Sequence, residues 1–144
     1  MPQTVKQALN AASFYSDSQP YAFARLPSTA ITAAAGVVAE IGEPFCALLV
    51  DKDEVTLLIP AEAWDDFAKR LPGSALSSQR YRLITIDVAL EPDLIGFIAH
   101  ISRALADAGV SILPFAAYTR DHLFVPEENF SLAMTTLEKL KVNS

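Results

Sequence analysis

Cysteine is almost missing from this chain. Cys46 stands alone, so no internal disulfide can form, and a cytoplasmic location is the expectation. Basic residues are scarce as well: 11 Lys and Arg against 17 Asp and Glu, a formal charge of −6. With no basic stripe to neutralise phosphates, nucleic acid is excluded as a partner and an anionic membrane surface is disfavoured. Long apolar runs are lacking too, and none reaches the ~18 residues that a bilayer span needs. Met1 to Gln19 holds Lys6 with no apolar stretch behind it, unlike a secretory signal. The 5 glycines include no run that would cradle a phosphate. No cluster of His, Cys and carboxylates has metal-ligand spacing, so neither metal nor cofactor is expected.

Apolar residues are abundant by contrast. They make up 51% of 144 residues, charged ones only 19%, and mean hydropathy is +0.27. Disorder is excluded for most of the chain. Such an apolar excess suggests burial against a second copy, and a homodimer is the expected state.

The sequence falls into parts at Leu71-Pro72-Gly73-Ser74-Ala75-Leu76-Ser77-Ser78, where Pro, Gly and Ser cluster. Residues 1–19 are small and polar and read as a mobile N-terminal arm or short helix. Residues 20–72 form a first, atypical unit, 73–80 a linker, and 81–144 a second, well-formed unit. The two units carry related sequence. Leu57-Leu58-Ile59-Pro60-Ala61-Glu62-Ala63-Trp64 matches Leu123-Phe124-Val125-Pro126-Glu127-Glu128-Asn129-Phe130 at an offset of 66, without a gap. At the same offset Phe67, Ala68 and Leu71 answer Ala133, Met134 and Leu137, the buried stripe of an amphipathic helix. The proline closes a strand and precedes a helix, where its missing N–H costs least.

A hairpin precedes each helix: Phe45–Asp51 with Val55–Ile59 in the first unit, Val110–Tyr118 with His122–Val125 in the second. Upstream in the second unit, Tyr81–Leu90 alternates as a strand with one face wet near its start. Leu94, Ile98, Ile101, Leu105 and Ala108 then recur at helical spacing, with Asp93 as N-cap and Gly109 as the left-handed C-terminal residue. Gly96 lies in the first turn of that helix, where it costs ~1 kcal/mol relative to alanine, so something should require it. Residues 81–141 read β-α-β-β-α. In the first unit Tyr21–Leu26 reads as a strand, and Thr29–Ile41, introduced by Ser28, as an ambiguous helix.

Asp93-Leu94-Ile95-Gly96 followed by Ala108-Gly109-Val110-Ser111-Ile112 resembles the ACT domain, a βαββαβ module that binds amino acids. Phe45-Cys46-Ala47-Leu48-Leu49-Val50 and His122-Leu123-Phe124-Val125-Pro126 look like the CASTOR-type, tandem ACT-like subfamily. The likeness runs over about Tyr21 to Leu140 and is loose over residues 27–44. It implies an α+β, ferredoxin-like ACT fold of two βαββα(β) units, with antiparallel sheets and helices on one face. The second unit departs from the pattern, since only Val142-Asn143-Ser144 come after its last helix and no final strand remains. An N-terminal strand, Tyr21–Leu26, is expected to fold back into that place.

The resemblance also implies a ligand site. The N–H groups opening the helix after Asp93 would take a carboxylate. Asp93 would hold an ammonium, and Gly96 would let a ligand approach the backbone. Leu94 belongs to the same turn. Across an interface, Ser111, Ile112 and Leu113 would complete the pairing, with Ile95 and Phe115 framing the side chain. The competing reading makes Asp93 only a cap and Gly96 only a packing accommodation. Elsewhere, Cys46 reads as a buried inert thiol, His100 as solvated and His122 as structural. No nucleophile, base and oxyanion site come together, so no catalysis is expected. Two functions stay open: an amino-acid-binding regulatory module, or a dimeric adaptor that kept the fold and lost the ligand.

Overall fold

The computed structural model describes residues 2–42 and 44–143. In chain order the strands are β1 (Ser13–Tyr15), β2 (Pro20–Pro27), β3 (Ala47–Val50), β4 (Glu54–Pro60), β5 (Ala75–Leu76), β6 (Tyr81–Asp87), β7 (Leu113–Ala116) and β8 (Asp121–Pro126). The helices are α1 (Val5–Ala11), α2 (Ile31–Ile41), α3 (Ala61–Phe67), α4 (Phe97–Asp107) and α5 (Phe130–Val142). Short 3-10 turns occupy Ser28–Ala30, Ala68–Arg70 and Glu127–Asn129. The chain folds as two compact units: Gln19–Tyr81, here the middle unit, and the residues before and after it, the terminal unit.

In the middle unit β2 runs antiparallel to β4, and β4 to β3. Alternate residues of the two longer strands point to the helices: Ala22, Ala24 and Leu26 from β2, Val55, Leu57 and Ile59 from β4. They pack on Ala34 and Val37 of α2 and on Ala61 and Trp64 of α3. Burying each of the Val, Leu and Ile side chains among them stabilises by ~1.5–3 kcal/mol. Residues 73–80 are not a bare linker. Ala75 and Leu76 pair with Arg25 and Ala24 and supply the unit's last strand. Two residues are too few for a hydrophobic alternation to be read from sequence.

The terminal unit orders its strands β6-β8-β7, with β1 antiparallel to β6 on the other side. Ile84 and Ile86 of β6 and Leu123 and Val125 of β8 face α4 and α5 through Ile101, Leu105, Ala133 and Leu137. The other face of β6 is not wet as expected, for Leu83 and Thr85 are buried and Asp87 alone in the strand is exposed. The Thr85 hydroxyl is satisfied by His122 Nδ1 at 2.8 Å, and this bond makes its burial tolerable.

The N-terminal arm belongs to this unit and is folded. Thr4 and Gln7 form a capping box, with Gln7 N–H donating to Thr4 Oγ1 at 3.1 Å and Thr4 N–H to Gln7 Oε1 at 2.9 Å. Ala8, Leu9 and Ala12 are buried in the helical core, and Lys141 donates to the Ala12 carbonyl. Within this unit Ser13–Tyr15 pairs with β6, and within the middle unit Tyr21–Leu26 pairs with β4 and β5.

The helix ends obey local chemistry. Pro60 and Pro126 have nearly the same backbone, φ −51°, ψ 136° and φ −54°, ψ 139°, at the end of β4 and β8. Gly109 takes φ 81° after α4. Its N–H donates to Ala106 O and that of Val110 to Leu105 O, both at 2.9 Å, which is a Schellman ending. Val110 and Leu105 are both in the core, completing the motif's apolar contact.

Candidate functional site

α4 begins three residues later than the sequence pattern suggests. Leu94 N–H donates to Glu91 O at 3.0 Å, closing a turn, and the first helical bond runs from His100 N–H to Gly96 O at 3.0 Å. Asp93 is therefore not the N-cap; that position is Gly96, at φ 87°, ψ 3°, with no side-chain cap. The Glu91–Leu94 turn occupies residues that the sequence pattern assigns to the helix start. The requirement for glycine is also settled. A Cβ on Gly96 would meet nothing within 4 Å, so the demand is the left-handed backbone and not crowding.

The late start leaves residues 88–96 as a loop between β6 and α4. Beside it lies the β7–β8 turn, closed by Ala117 N–H donating to Arg120 O at 3.0 Å. Leu90 N–H donates to Thr119 O at 2.7 Å and ties loop to turn. Between them is a cleft of about 200 Å³, whose walls include Leu90, Glu91, Leu94, Gly96, Phe97, Ile98, Tyr118, Thr119, Arg120 and Asp121. The N–H groups of Phe97 and Ile98 precede the first helical bond, so the helix supplies them no partner. They lie at the positive end of the helix dipole, in two residues that line the cleft.

Charges of both signs converge here. Arg120 Nη1 lies 2.7 Å from Asp87 Oδ1, with both side chains about half exposed. Burial pushes the Asp121 carboxyl above its ordinary value, and the neighbouring His122 opposes that rise. His122 is pushed down, chiefly by burial and then by the Arg120 guanidinium, with Asp121 pulling the other way. Cationic and anionic side chains in the lining of one small cleft, Arg120 with Glu91 and Asp121, suit a zwitterion.

The expected site residues separate. Leu94 and Gly96 line the cleft. Asp93 and Ile95 lie on the same loop, exposed, with Ile95 at 88%. Ser111, Ile112, Leu113 and Phe115 are elsewhere. Ser111 is exposed, Ile112 packs against the helical core, and Leu113 and Phe115 lie on β7, where Phe115 meets the Phe124 ring edge-on at 5.8 Å. Arg120, Thr119 and Glu91 were missed. Thr119-Arg120-Asp121 reads only as a turn until strand pairing brings it beside residues 88–96. The thiol of Cys46 is half-buried and pushed up by burial, as an inert thiol would be, and His100 is exposed. Among the described residues no group of His, Cys, Asp and Glu could hold a metal ion, and no helix is long and apolar enough to cross a membrane.

Residues 76–139 match the family model of the ACT domain. No curated protein matches the sequence significantly. Solved structures are similar over nearly the whole chain. One is a Vibrio cholerae protein of unknown function, described as a possible transport protein: 25% identity, TM-score 0.70, 96% of each chain covered. A protein from Agrobacterium tumefaciens is 18% identical, TM-score 0.70, covering 90% of this chain and 89% of that one. The ligand-free regulatory subunit of aspartate kinase from Thermus thermophilus is 15% identical, TM-score 0.65, covering 90% and 98%. The chain thus has the α+β, ferredoxin-like fold of ACT regulatory domains, and its residues 76–139 match that family in sequence.

Proposed function

We propose that this chain is a non-catalytic regulatory module that binds an amino acid in the cleft between residues 88–96 and the β7–β8 turn. The observation that carries the reading is that the start of α4, which has no side-chain cap, and Arg120 line the same cleft. The helix N–H groups and the guanidinium address the carboxylate of an amino acid, and the carboxylates of Glu91 and Asp121 address its ammonium. About 200 Å³ is below the ~300–1,000 Å³ of clefts that hold drug-sized ligands, so it suits a small metabolite. Larger hollows exist, such as one of about 450 Å³ against α5 lined by Met134, Thr135, Glu138, Lys139, Val142 and Asn143. Its lining comes from the later turns of α5 and the residue after it, and includes no helix start.

Ile95 and Tyr118, exposed at 88% and 98% beside the cleft mouth, support a homodimer in which a second chain covers the ligand. Ser111, Ile112 and Leu113 of that second chain would then reach the site, which fits the tandem ACT, CASTOR-type reading. Similarity to aspartate kinase regulatory subunits supports a regulatory role, and ligand occupancy would bias the dimer between two arrangements.

The test is thermal unfolding in the presence of each standard amino acid. A ligand at about 100 times its Kd adds about 2.7 kcal/mol, a shift of several degrees. One clear hit supports the reading; a flat screen at saturating concentrations favours an adaptor that has lost its ligand.

A further inference from the structure

The loop 88–96 that walls the cleft rests Val88, Leu90 and Leu94 against the helical core, and between those contacts its exposed residues have few anchors of their own. Ala89, Glu91, Pro92 and Asp93 are exposed. The Glu91–Leu94 turn and the single bond to Thr119 are its main internal ties. Further hydrogen bonds come from far away in sequence. Gln3 Nε2 donates to Ala89 O at 3.0 Å, and Glu91 N–H donates to Gln3 Oε1 at 3.0 Å. Gln3 N–H donates in turn to Glu91 Oε2 at 3.1 Å.

A primary carboxamide presents a donor and an acceptor side by side, as a strand's backbone does. It can therefore pair with the C=O of one residue and the N–H of the residue two further on. That is what the Gln3 side chain does with Ala89 and Glu91. Its own backbone is held by the neighbouring helix α1, through the Thr4–Gln7 capping box and then Ala8, Leu9 and Ala12 buried in the helical core. Ala89 and Glu91 are thus tied to the N-terminal arm, in addition to the direct packing of Val88, Leu90 and Leu94 on the core.

We propose that Gln3 is the positioning residue of this cleft, holding residues 89–91 where the wall needs them. The consequence for ligand affinity rests on the amino-acid reading given above; the positioning itself does not. Gln3→Ala removes both side-chain bonds. Gln3→Glu keeps an acceptor for Glu91 N–H, loses the donor to Ala89, and sets a second carboxylate against Glu91.

The experiment is amide hydrogen exchange of the full chain, wild type and both variants, with titration of whichever amino acid raises the melting temperature. In Gln3→Ala the Glu91 amide is expected to exchange roughly tenfold faster or more, as loss of one modest hydrogen bond implies. Amides of β8 keep their rates, and Gln3→Glu falls between. Amino-acid affinity drops by a similar factor. A Glu91 amide unchanged in Gln3→Ala overturns the proposal, and so does faster exchange with unaltered affinity. If the wild type binds no amino acid, the ligand reading falls, and the Glu91 exchange rate alone sustains or overturns the positioning role.

Discussion

In the middle unit β2 runs to Pro27 and passes through one 3-10 turn, Ser28–Ala30, straight into α2. In the terminal unit residues 88–96 lie between β6 and α4, with Gly96 left-handed at the junction. In both a proline with nearly the same backbone closes the hairpin and leads into helical structure. What differs is the connection after the first strand, and the longer one lines a cleft beside the neighbouring hairpin turn. The two units thus share a core pattern, while the longer connection in one of them lines the cleft proposed as the ligand site.

The core side of the comparison carries the largest expected effects. Leu71 and Leu137 are matched at the offset of 66 and both buried, so each changed to alanine should lose about 2–5 kcal/mol in urea unfolding. Trp64 and Phe130 are matched too, but Trp64 is buried while Phe130 is half-exposed under the Arg82 guanidinium, 3.9 Å from its centroid. Trp64→Ala should cost ~3–5 kcal/mol, and Phe130→Ala clearly less. Equal losses would show that the packing is more symmetric than the burial implies.

Next in size are the glycines. Gly96→Ala puts a Cβ at positive φ and should destabilise by ~1–2 kcal/mol. Gly36 sits inside α2, where a Cβ would meet Arg70 Nη2 at an ordinary 3.7 Å. Gly36→Ala should therefore stabilise by roughly 0.5–1 kcal/mol. Thermal unfolding of the two variants should move in opposite directions.

Acid sensitivity sharpens the contrast further. His122 of β8 is matched in β4 by Thr56, which carries no titrating charge. Since the folded pKa of His122 is depressed, the unfolded chain takes up that proton first as pH drops below about 6.5. The stability it contributes is present above that pH and is lost as pH falls through the folded pKa. Asp121 is raised, so its contribution is present below about 3.9 and lost as pH rises through its folded value. His122→Asn should flatten the decline in melting temperature on the acid side of neutrality. A variant that declines as steeply as the wild type would remove His122 from the account.

The smallest stability effect is expected at the cleft. The Arg120–Asp87 pair is half exposed, so Arg120→Ala should cost at most ~1 kcal/mol of stability. Calorimetric titration should nevertheless show amino-acid affinity falling by roughly tenfold or more, because a charge-assisted carboxylate contact is gone.

Much of the fold was legible in the residues. The offset of 66 locates both hairpin–proline–helix runs, because apolar periodicity and proline are local signals. β4 and β8 fall within a residue of their expected bounds at each end. The tertiary features were not legible. β7 shrinks from Val110–Tyr118 to Leu113–Ala116, and β3 from Phe45–Asp51 to Ala47–Val50, because apolar runs extend beyond the paired backbone. The folded arm hides behind a polar composition, as its one apolar face needs only Ala8, Leu9 and Ala12. At the site, Gly96 was recognisable as an anomaly, but its cause was a backbone angle. Arg120 and Gln3 become meaningful only when pairing brings residues from three distant stretches together.

The most direct measurement is an amide chemical-shift titration of the isotopically labelled chain with the amino acid that stabilises it. The account predicts shifts concentrated at Leu94–Ile98 and Thr119–Asp121, with Ser28–Ile31 of the middle unit unmoved. Shifts centred on Ser28–Ile31, or none with any standard amino acid, would contradict it.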